Sequence, residues 1–212
     1  MFEVEIKDGI ITVNDEVQKL DAGAMEVAGV KIKGRNAFGN EEFEEFFTKY
    51  LVGMNDYIEI GTLFGASACL AGLNCKGEVH CIDPLNGYYS AGKRDQSTGM
   101  LPFPSVVREN WDIFGLDQKR LHIHQHKHPP FPESIKDKRF DVGYIDGDHR
   151  FEGCWADWDA LKDRVDKFII FDNYEKEDVK AVVQMAVRTS EWAIQEKQKG
   201  FEIYAIVLRR ET

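Results

Sequence analysis

The sequence has 212 residues, enough for one large domain and too few for two ordinary ones. Lys and Arg number 27, Asp and Glu number 37, and the net charge is −10. Such an acidic chain lacks the electrostatic footprint of a nucleic-acid-binding protein. No apolar run approaches the roughly 20 residues that span a bilayer, and the N-terminus has no apolar stretch typical of a secretory signal. These features predict a cytoplasmic protein that acts on neither nucleic acids nor membranes, with its four cysteines reduced and buried.

We predict a β-rich N-terminal extension over residues 1–56. Apolar residues alternate on both sides of Asp8-Gly9, a dipeptide typical of a hairpin turn, and residues 27–32 fit a further short strand. Asn40 is a candidate N-cap for a helix whose phenylalanines fall on one face. The extension is expected to pack on the main fold or on a second subunit, and its hairpin edges are candidates for homodimer contacts.

From Tyr57 onward, strand and helix patterns alternate. Predicted strands cover residues 57–60, 79–83, 121–124, 140–146 and 168–172. Predicted helices cover 66–73, 105–114, a segment carrying Trp155, Trp158, Leu161 and Val165, and a segment from Val179 to Val187. Two closing strands are joined across Lys199-Gly200. This alternation predicts a three-layer α/β domain over residues 57–212, with a mostly parallel sheet and an antiparallel C-terminal strand.

The ends of the first two strands of this sheet suggest a ligand site, because open α/β sheets bind ligands beyond the carboxyl ends of their strands. The segment 59–65 turns from strand to helix through Gly61 and Gly65, and glycines let a ligand approach the backbone. Asp83 ends the next strand, 22 residues after Gly61, where an acid can accept hydrogen bonds from ribose hydroxyls. The middle glycine of a dinucleotide fingerprint is missing, which favours a nucleoside joined to a compact charged group. An ordinary turn, and an aspartate that caps the loop after Pro84, are the alternative interpretations.

Two segments resemble class I S-adenosylmethionine-dependent methyltransferases, which have a Rossmann-like sheet. The segment EIGTLFGASA (59–68) resembles their first cofactor motif, especially that of the metal-dependent catechol O-methyltransferases. The segment YIDGDHRFEGCWADWDAL (144–161) is similar to one in small bacterial O-methyltransferases, including those that act on macrolide sugars. The resemblance covers about residues 57–174. It implies S-adenosylmethionine as the methyl donor, Mg²⁺ or another divalent cation, and a small hydroxylated molecule as the acceptor.

The resemblance also implies roles for particular residues. The cofactor pocket would be formed by Glu59, Gly61, Thr62, Gly65, Ser67, Asp83 and Asp146. The magnesium ligands of the catechol type correspond to Asp146, Asp172 and Asn173. His149 stands where the macrolide-sugar type has a histidine and the catechol type has a lysine base, which implies that it is the general base. Its ordinary titration near neutrality suits that role.

Three further observations concern the surroundings of this site. Gln125 and His126 follow the third strand of the sheet, and from this position we expect Gln125 or His126 to flank the adenine. Phe151 stands where the family more usually has tyrosine, and the long Gly- and Pro-containing loop 84–104 has no match in the family. Because loops of this length are often functional, we expect it to close over the acceptor, whose identity the sequence leaves open.

Alternatives remain at each level. The segment 146–149 could form a polar turn before the next helix, Asp172-Asn173 could form a strand-end turn, and His149 could orient a carboxylate without moving a proton. The sequence Asp146-Gly-Asp148 also fits the D-x-D motif of nucleotide-sugar glycosyltransferases. A non-catalytic cofactor-binding module is a third functional hypothesis.

Four histidines occupy alternate positions from His122 to His128. In an extended strand their side chains would share one face. The strand is expected to end near His124, however, and neither a cysteine nor a carboxylate neighbours these histidines in the sequence. We therefore predict solvated or partly buried histidines here rather than a metal site.

Overall fold

The structure is a computed structural model that describes residues 4–7, 10–13, 16–18, 25–34, 41–87, 102–199 and 204–211. None of the helices in these ranges combines the length and the apolar composition that crossing a bilayer requires. Four sequence predictions lie outside the described residues: the Asp8-Gly9 turn, the Asn40 cap, residues 88–101 of the long loop, and the Gly200 end of the last turn.

The strands in these ranges fall into an N-terminal group and a main group. The N-terminal strands are β1 (Val4–Lys7), β2 (Ile10–Val13), β3 (Glu16–Gln18), β4 (Met25–Val27) and β5 (Val30–Ile32). The main strands are β6 (Tyr57–Ile60), β7 (Val79–Asp83), β8 (Leu121–Gln125), β9 (Phe140–Ile145), β10 (Val165–Phe171), β11 (Trp192–Lys199) and β12 (Tyr204–Arg210).

The main strands form a seven-stranded sheet in the order β11-β12-β10-β9-β6-β7-β8. Neighbours from β8 to β10 pair in parallel, whereas β12 is antiparallel to both β10 and β11. The chain therefore builds outward from β6 to β8, returns to β9, and continues in the other direction. This reversal places the carboxyl ends of β6 and β9 side by side, which is where open α/β sheets bind ligands. The predicted mostly parallel sheet with an antiparallel C-terminal strand is confirmed.

Helices cover both faces of this sheet. The α-helices are α1 (Glu41–Lys49), α2 (Ala66–Asn74), α3 (Pro104–Ile113), α4 (Phe151–Leu161) and α5 (Glu177–Thr189). Apolar side chains of α1, α2 and α3 share one core with the sheet, and those of α4 and α5 share the other. Successive strand residues alternate between the two cores, as Tyr57 and Ile58 do. Burial on both faces explains why the central strands are almost continuously apolar, and it confirms the three layers.

The helix of the N-terminal extension packs on the main sheet. The ring centroid of Phe47 lies 4.9 Å from that of Tyr144 and 6.2 Å from that of Tyr57, so α1 contributes to the same core as α2 and α3. The strands β1, β2 and β3 form a separate three-stranded sheet. Its pairing of Val4 with Val13 and of Lys7 with Ile10 agrees with the predicted hairpin.

Two predicted elements were wrong in detail. The single strand predicted at 27–32 is a hairpin of β4 and β5, because Ala28 and Gly29 have φ values of 49° and 73° and reverse the chain. Val165 was predicted to share a helix with Trp155, yet it begins β10, since α4 ends at Leu161 and the chain turns before the strand. The predicted free, buried cysteines are confirmed at Cys69, Cys75, Cys81 and Cys154.

Candidate active site at the carboxyl edge of the sheet

Two glycines shape the turn after β6. Gly61 has a φ of +91°, and a Cβ at this position would lie 2.2 Å from the carbonyl oxygen of Asp146. Gly65 has a φ of +82°, and its Cβ would lie 2.8 Å from the Val107 side chain. Both positions favour glycine, because this backbone region disfavours a side chain and the neighbouring atoms leave no room for one. The turn therefore holds the end of β6 closely against the end of β9.

Asp83 fixes this turn to the end of β7. Its Oδ2 atom accepts hydrogen bonds from the backbone N–H groups of Thr62 at 2.8 Å and Leu63 at 3.1 Å. Its Oδ1 atom accepts one from the N–H of Leu85 at 2.8 Å, which is the loop-capping contact of the alternative interpretation. The N–H of His126 donates to the Asp83 carbonyl at 3.1 Å. The structure thus brings Asp83 and His126 to the same edge as the glycine turn.

Glu59 lies buried beneath the turn. The Tyr57 hydroxyl donates to its Oε2 atom at 2.8 Å. Burial raises the pKa of Glu59, and the nearby polar groups of Ser67, Tyr57 and Thr62 partly offset this rise. Within the described ranges, Oε1 of Glu59 and Oγ1 of Thr62 are buried without a geometrically complete hydrogen bond. These buried polar side chains beneath a glycine turn offer oxygens that could bond to a small polar ligand beside the turn.

Two carboxylates meet at the ends of the neighbouring strands β9 and β10. The backbone N–H of Asp172 donates to Ile145 at 3.0 Å, and that of Asp146 donates to Ile60 at 2.9 Å. These strand-end bonds fix both backbones, and the two carboxyl groups are in hydrogen-bonding contact. Asn173 follows with a φ of +51° and donates its own N–H to Asp172 Oδ1 at 2.8 Å. The three predicted metal-binding residues therefore lie at one corner of the sheet.

The electrostatics of this corner suit a cation. Burial is the largest cause that raises the pKa of Asp146, to about 7, and the charge of Glu59 adds to it while that of Lys176 opposes it. Burial and the charge of Asp146 raise the pKa of Asp172 well above its ordinary value. Asp172 is buried and Asp146 is half-buried beside it. Two such carboxylates in contact cannot both ionise at low cost, so the pair keeps a proton near neutral pH. A bound divalent cation would replace that proton.

His149 lies between this acid pair and a lysine. Its Nε2 atom is 3.1 Å from Oδ1 of Asp146, and its Nδ1 atom is 2.6 Å from Nζ of Lys176. Burial lowers the pKa of His149, and the charge of Lys176 lowers it further. The imidazole is therefore neutral. Since an ammonium group only donates, Nδ1 is the acceptor and Nε2 carries the proton that is shared with Asp146.

Lys176 was missed in the sequence analysis. It is the N-cap residue of α5, three positions after Asn173, and its ammonium group also donates to Asn173 Oδ1 at 3.1 Å. The available signal was its place in the short segment after β10, because residues there line the ligand-binding edge of the sheet. Its charge makes it part of the electrostatic environment of both His149 and Asp146.

Sequence comparison identifies the family. A family model described as a methyltransferase domain matches residues 58–174, which is more than half of the chain and includes the glycine turn, Asp83 and the acid pair. The chain belongs to this methyltransferase family. It is an S-adenosylmethionine-dependent methyltransferase with the class I fold, as the resemblance implied. None of the curated proteins matches its sequence.

Several solved structures share the fold of the methyltransferase. An O-methyltransferase from Bacillus cereus in complex with SAH has a TM-score of 0.61 at 15% identity, covering 82% of this chain and 84% of its own. The cofactor-bound protein Rv0187 from MTB has a TM-score of 0.61 at 18% identity, covering 84% of each chain. A ribosomal protein L11 methylase from Lactobacillus delbrueckii subsp. bulgaricus has a TM-score of 0.59 at 14% identity. The match covers 85% of this chain and 82% of the methylase chain. Identities this low establish the shared fold and leave the acceptor open.

The methyltransferase does not use Asp148 as part of the acid pair. The Nε atom and the backbone N–H of Arg150 donate to Asp148 Oδ1 at 2.9 and 3.0 Å. The Asp148 carboxylate thus closes a local turn before α4, whose cap residue Arg150 makes no side-chain cap bond. A glycosyltransferase D-x-D site is therefore not favoured.

Proposed function

We propose that the enzyme transfers a methyl group from S-adenosylmethionine to a hydroxyl oxygen of a small molecule. The observation that carries this proposal is the adjacency of two features at one edge of the sheet. A glycine turn above buried polar side chains lies beside a cluster of two acids, an amide and a histidine. The turn suits the donor, and the cluster suits an acceptor that must lose a proton before it attacks.

The donor would be held by the residues of the turn and their neighbours. Support comes from the close packing at Gly61 and Gly65 and from the buried oxygens of Glu59 and Thr62 that lack complete hydrogen bonds. Ser67 lies next to Glu59 at the start of α2. The carboxylate of Asp83 lies on the same edge of the sheet, and we assign it to the ribose hydroxyls. His126 follows the next strand, and we assign it to the adenine.

The divalent cation, expected to be Mg²⁺, would be held by Asp146, Asp172 and Asn173. These residues offer the oxygen ligands that Mg²⁺ prefers, and their paired carboxylates have pKa values that a cation would lower. When bound, the cation would orient the acceptor and lower the pKa of its hydroxyl group. Lys176 now contacts Asn173 Oδ1, so its ammonium group must move when that oxygen becomes a ligand.

His149 is the proposed general base. Both of its ring nitrogens are engaged, Nε2 with Asp146 and Nδ1 with Lys176. Displacement of Lys176 from Asn173 would also release Nδ1, leaving a neutral nitrogen that can accept the acceptor's proton. Asp146 would then stabilise the imidazolium through its contact with Nε2. This sequence of contacts links metal binding to the availability of the base.

The test is calorimetry with S-adenosylhomocysteine, with and without Mg²⁺, followed by methylation assays on catechol-type and sugar-type hydroxyl compounds. Asp172→Ala should keep S-adenosylhomocysteine binding and abolish metal-dependent turnover, and His149→Gln should lower turnover by about 10²- to 10⁴-fold. Asp159→Ala, at an exposed acid on α4, is the matched control. It should leave both S-adenosylhomocysteine binding and turnover unchanged.

Each outcome of this test separates the hypotheses. Normal turnover in Asp172→Ala would contradict the metal assignment, and normal turnover in His149→Gln would contradict the base. Tight S-adenosylhomocysteine binding without turnover on any acceptor would favour the non-catalytic module. Absence of binding at millimolar ligand would contradict the donor assignment itself.

We further propose that the enzyme works in the cytoplasm on a free small molecule, without nucleic acid or a membrane. Its buried free cysteines and its net charge of −10 support this proposal. The separate sheet of β1, β2 and β3 is our candidate for homodimer contacts. Light scattering of the full chain and of a chain lacking residues 1–18 should give a dimer and a monomer respectively, and equal masses would contradict the assignment.

A further inference from the structure

We propose that Glu78, His80 and His122 form a second metal site, for a transition-metal dication such as Zn²⁺, that links β7 to β8. Each residue offers one ligand atom, and these atoms all lie within 4.8 Å of one another. The site lies on the β7–β8 side of the sheet, away from the acid pair at the ends of β9 and β10. It is independent of the proposed acceptor and metal at the methyl-transfer site.

Strand pairing brings these residues together. His80 on β7 is the register partner of His122 on β8, and side chains at partnered positions of parallel strands share a face. Glu78 precedes His80 by two positions, so it returns to the same face. The sequence analysis saw no carboxylate beside the histidines because Glu78 is distant from them along the chain. The neighbouring strand supplies a second imidazole, His80, and the residue just before that strand supplies the carboxylate. The reason for rejecting a metal therefore no longer holds.

The ligand atoms are close enough for one metal ion after a small rearrangement. Glu78 Oε2 lies 3.2 Å from His80 Nε2, and Glu78 Oε1 lies 3.5 Å from His122 Nε2. The rings of His80 and His122 are stacked, with centroids 4.5 Å apart and an angle of 14° between their planes. Because a metal lies in the plane of each imidazole that binds it, one ring must rotate for both Nε2 atoms to bind the same Zn²⁺. In the described part of the chain, His122 Nε2 is buried and makes no complete hydrogen bond. The arrangement supplies three ligands and leaves the fourth position to water.

A neighbouring histidine can support the metal-binding tautomer of His80. His80 Nε2 lies 3.2 Å from Glu78 Oε2, and a metal would take the place of any proton between these two atoms. His80 Nδ1 lies 3.0 Å from His124 Nε2. A proton on His80 Nδ1 can therefore be donated to His124, which leaves Nε2 for the metal and matches the usual outer support of a metal-binding histidine.

One group competes with the metal. Lys138 Nζ donates to Glu78 Oε2 at 2.6 Å and lies 3.1 Å from Asp56 Oδ2. Its ammonium group would repel a dication and must withdraw toward Asp56 when the metal binds. This competition gives the proposal a directional signature, because removal of the lysine charge should strengthen binding whereas removal of a ligand should weaken it. Imidazole nitrogens favour Zn²⁺ or Co²⁺ over Mg²⁺.

The experiment is titration of the full chain with Zn²⁺ by calorimetry and with Co²⁺ by visible absorption, in excess Mg²⁺. His122→Ala and Glu78→Gln should each weaken binding by at least about tenfold and abolish the tetrahedral Co²⁺ bands. Lys138→Met should tighten binding severalfold. Glu133→Gln, at an exposed acid, is the control and should leave the Zn²⁺ affinity and the Co²⁺ bands unchanged.

Binding of S-adenosylhomocysteine is measured on the same variants and should stay unchanged in His122→Ala, which shows that the variant is folded. Zn²⁺ affinity that is equal in His122→Ala and the native chain would overturn the proposal, since the metal would then lie elsewhere. Absence of Zn²⁺ or Co²⁺ binding at millimolar metal would overturn it as well. Neither result depends on whether the enzyme methylates a hydroxyl group.

Discussion

Replacing Gly61 by alanine tests whether the turn after β6 and the end of β9 act as one unit. A Cβ at Gly61 would lie 2.2 Å from the carbonyl oxygen and 2.5 Å from the carbonyl carbon of Asp146. These are backbone atoms, which cannot rotate away as a flexible side chain can. Ordinary contacts begin at 3.4 Å, so the two strand ends would have to separate by roughly 1 Å.

Three costs contribute to the expected loss of stability. A left-handed backbone conformation costs alanine about 1–2 kcal/mol, and forced repacking costs about 1–3 kcal/mol. The hydrogen bond from Asp146 to Ile60, now 2.9 Å long, contributes about 1 kcal/mol that would be lost on separation. We therefore expect Gly61→Ala to lower the free energy of unfolding by about 3–6 kcal/mol.

Gly53 provides the matched control. Its φ is +80°, and a Cβ there would meet nothing within 4 Å, so Gly53→Ala carries only the conformational cost of about 1–2 kcal/mol. Urea denaturation of both variants measures the difference, and calorimetry with S-adenosylhomocysteine measures the site. Gly61→Ala should bind at least about tenfold more weakly than the native chain, whereas Gly53→Ala should bind normally. Equal losses of stability in the two variants, with equal affinities, would refute the steric argument.

Three further predictions concern buried and half-buried groups. Burial raises the pKa of Asp146 to about 7, so the native carboxyl keeps a proton that the unfolded chain releases near pH 4. The contribution of this group to the free energy of unfolding should therefore fall as the pH rises from about 4 to about 7, and urea titrations should show a smaller fall in Asp146→Asn; an equal fall would count against the raised pKa. Burial raises the pKa of the Cys154 thiol to about 12, so a thiol reagent at pH 8 should label it only after denaturation, and rapid native labelling would contradict its burial. His128 Nδ1 lies 2.8 Å from Asp157 Oδ1 with both side chains buried, so Asp157→Ala should lower the free energy of unfolding by about 3–5 kcal/mol; a loss below 1 kcal/mol in denaturation curves would show that the pair adds little.

The sequence predicted the sheet well because its signals there are local and repeated. Each central strand is a short apolar run followed by polar residues, and β6 is followed by glycines where the chain must turn. The predicted boundaries failed where local patterns were ambiguous. Val165 continues the apolar spacing of α4, and only the turn before it, closed by the hydrogen bond from Arg164 to Leu161, separates the helix from β10.

The sequence also predicted which residues gather at the carboxyl edge, because parallel strands end at the same side of a sheet. It could not predict contacts made by long side chains or across strands. Lys176 reaches His149 from 27 positions away, and Glu78 faces His122 only because β7 pairs with β8 in one register. Register depends on the whole sheet, so clusters of this kind require the structure.

The contact between Gly61 and Asp146 links the two halves of the proposed active site. The carbonyl of Asp146 closes the space above Gly61, while its carboxyl group meets Asp172 and His149. A donor that shifts the glycine turn must therefore shift the backbone that carries the acid pair. A cation that draws the two carboxylates together would act on the same backbone. Because both proposed ligands would act on Asp146, we expect Mg²⁺ to change the affinity for S-adenosylhomocysteine, and Gly61→Ala to reduce that change along with the affinity itself.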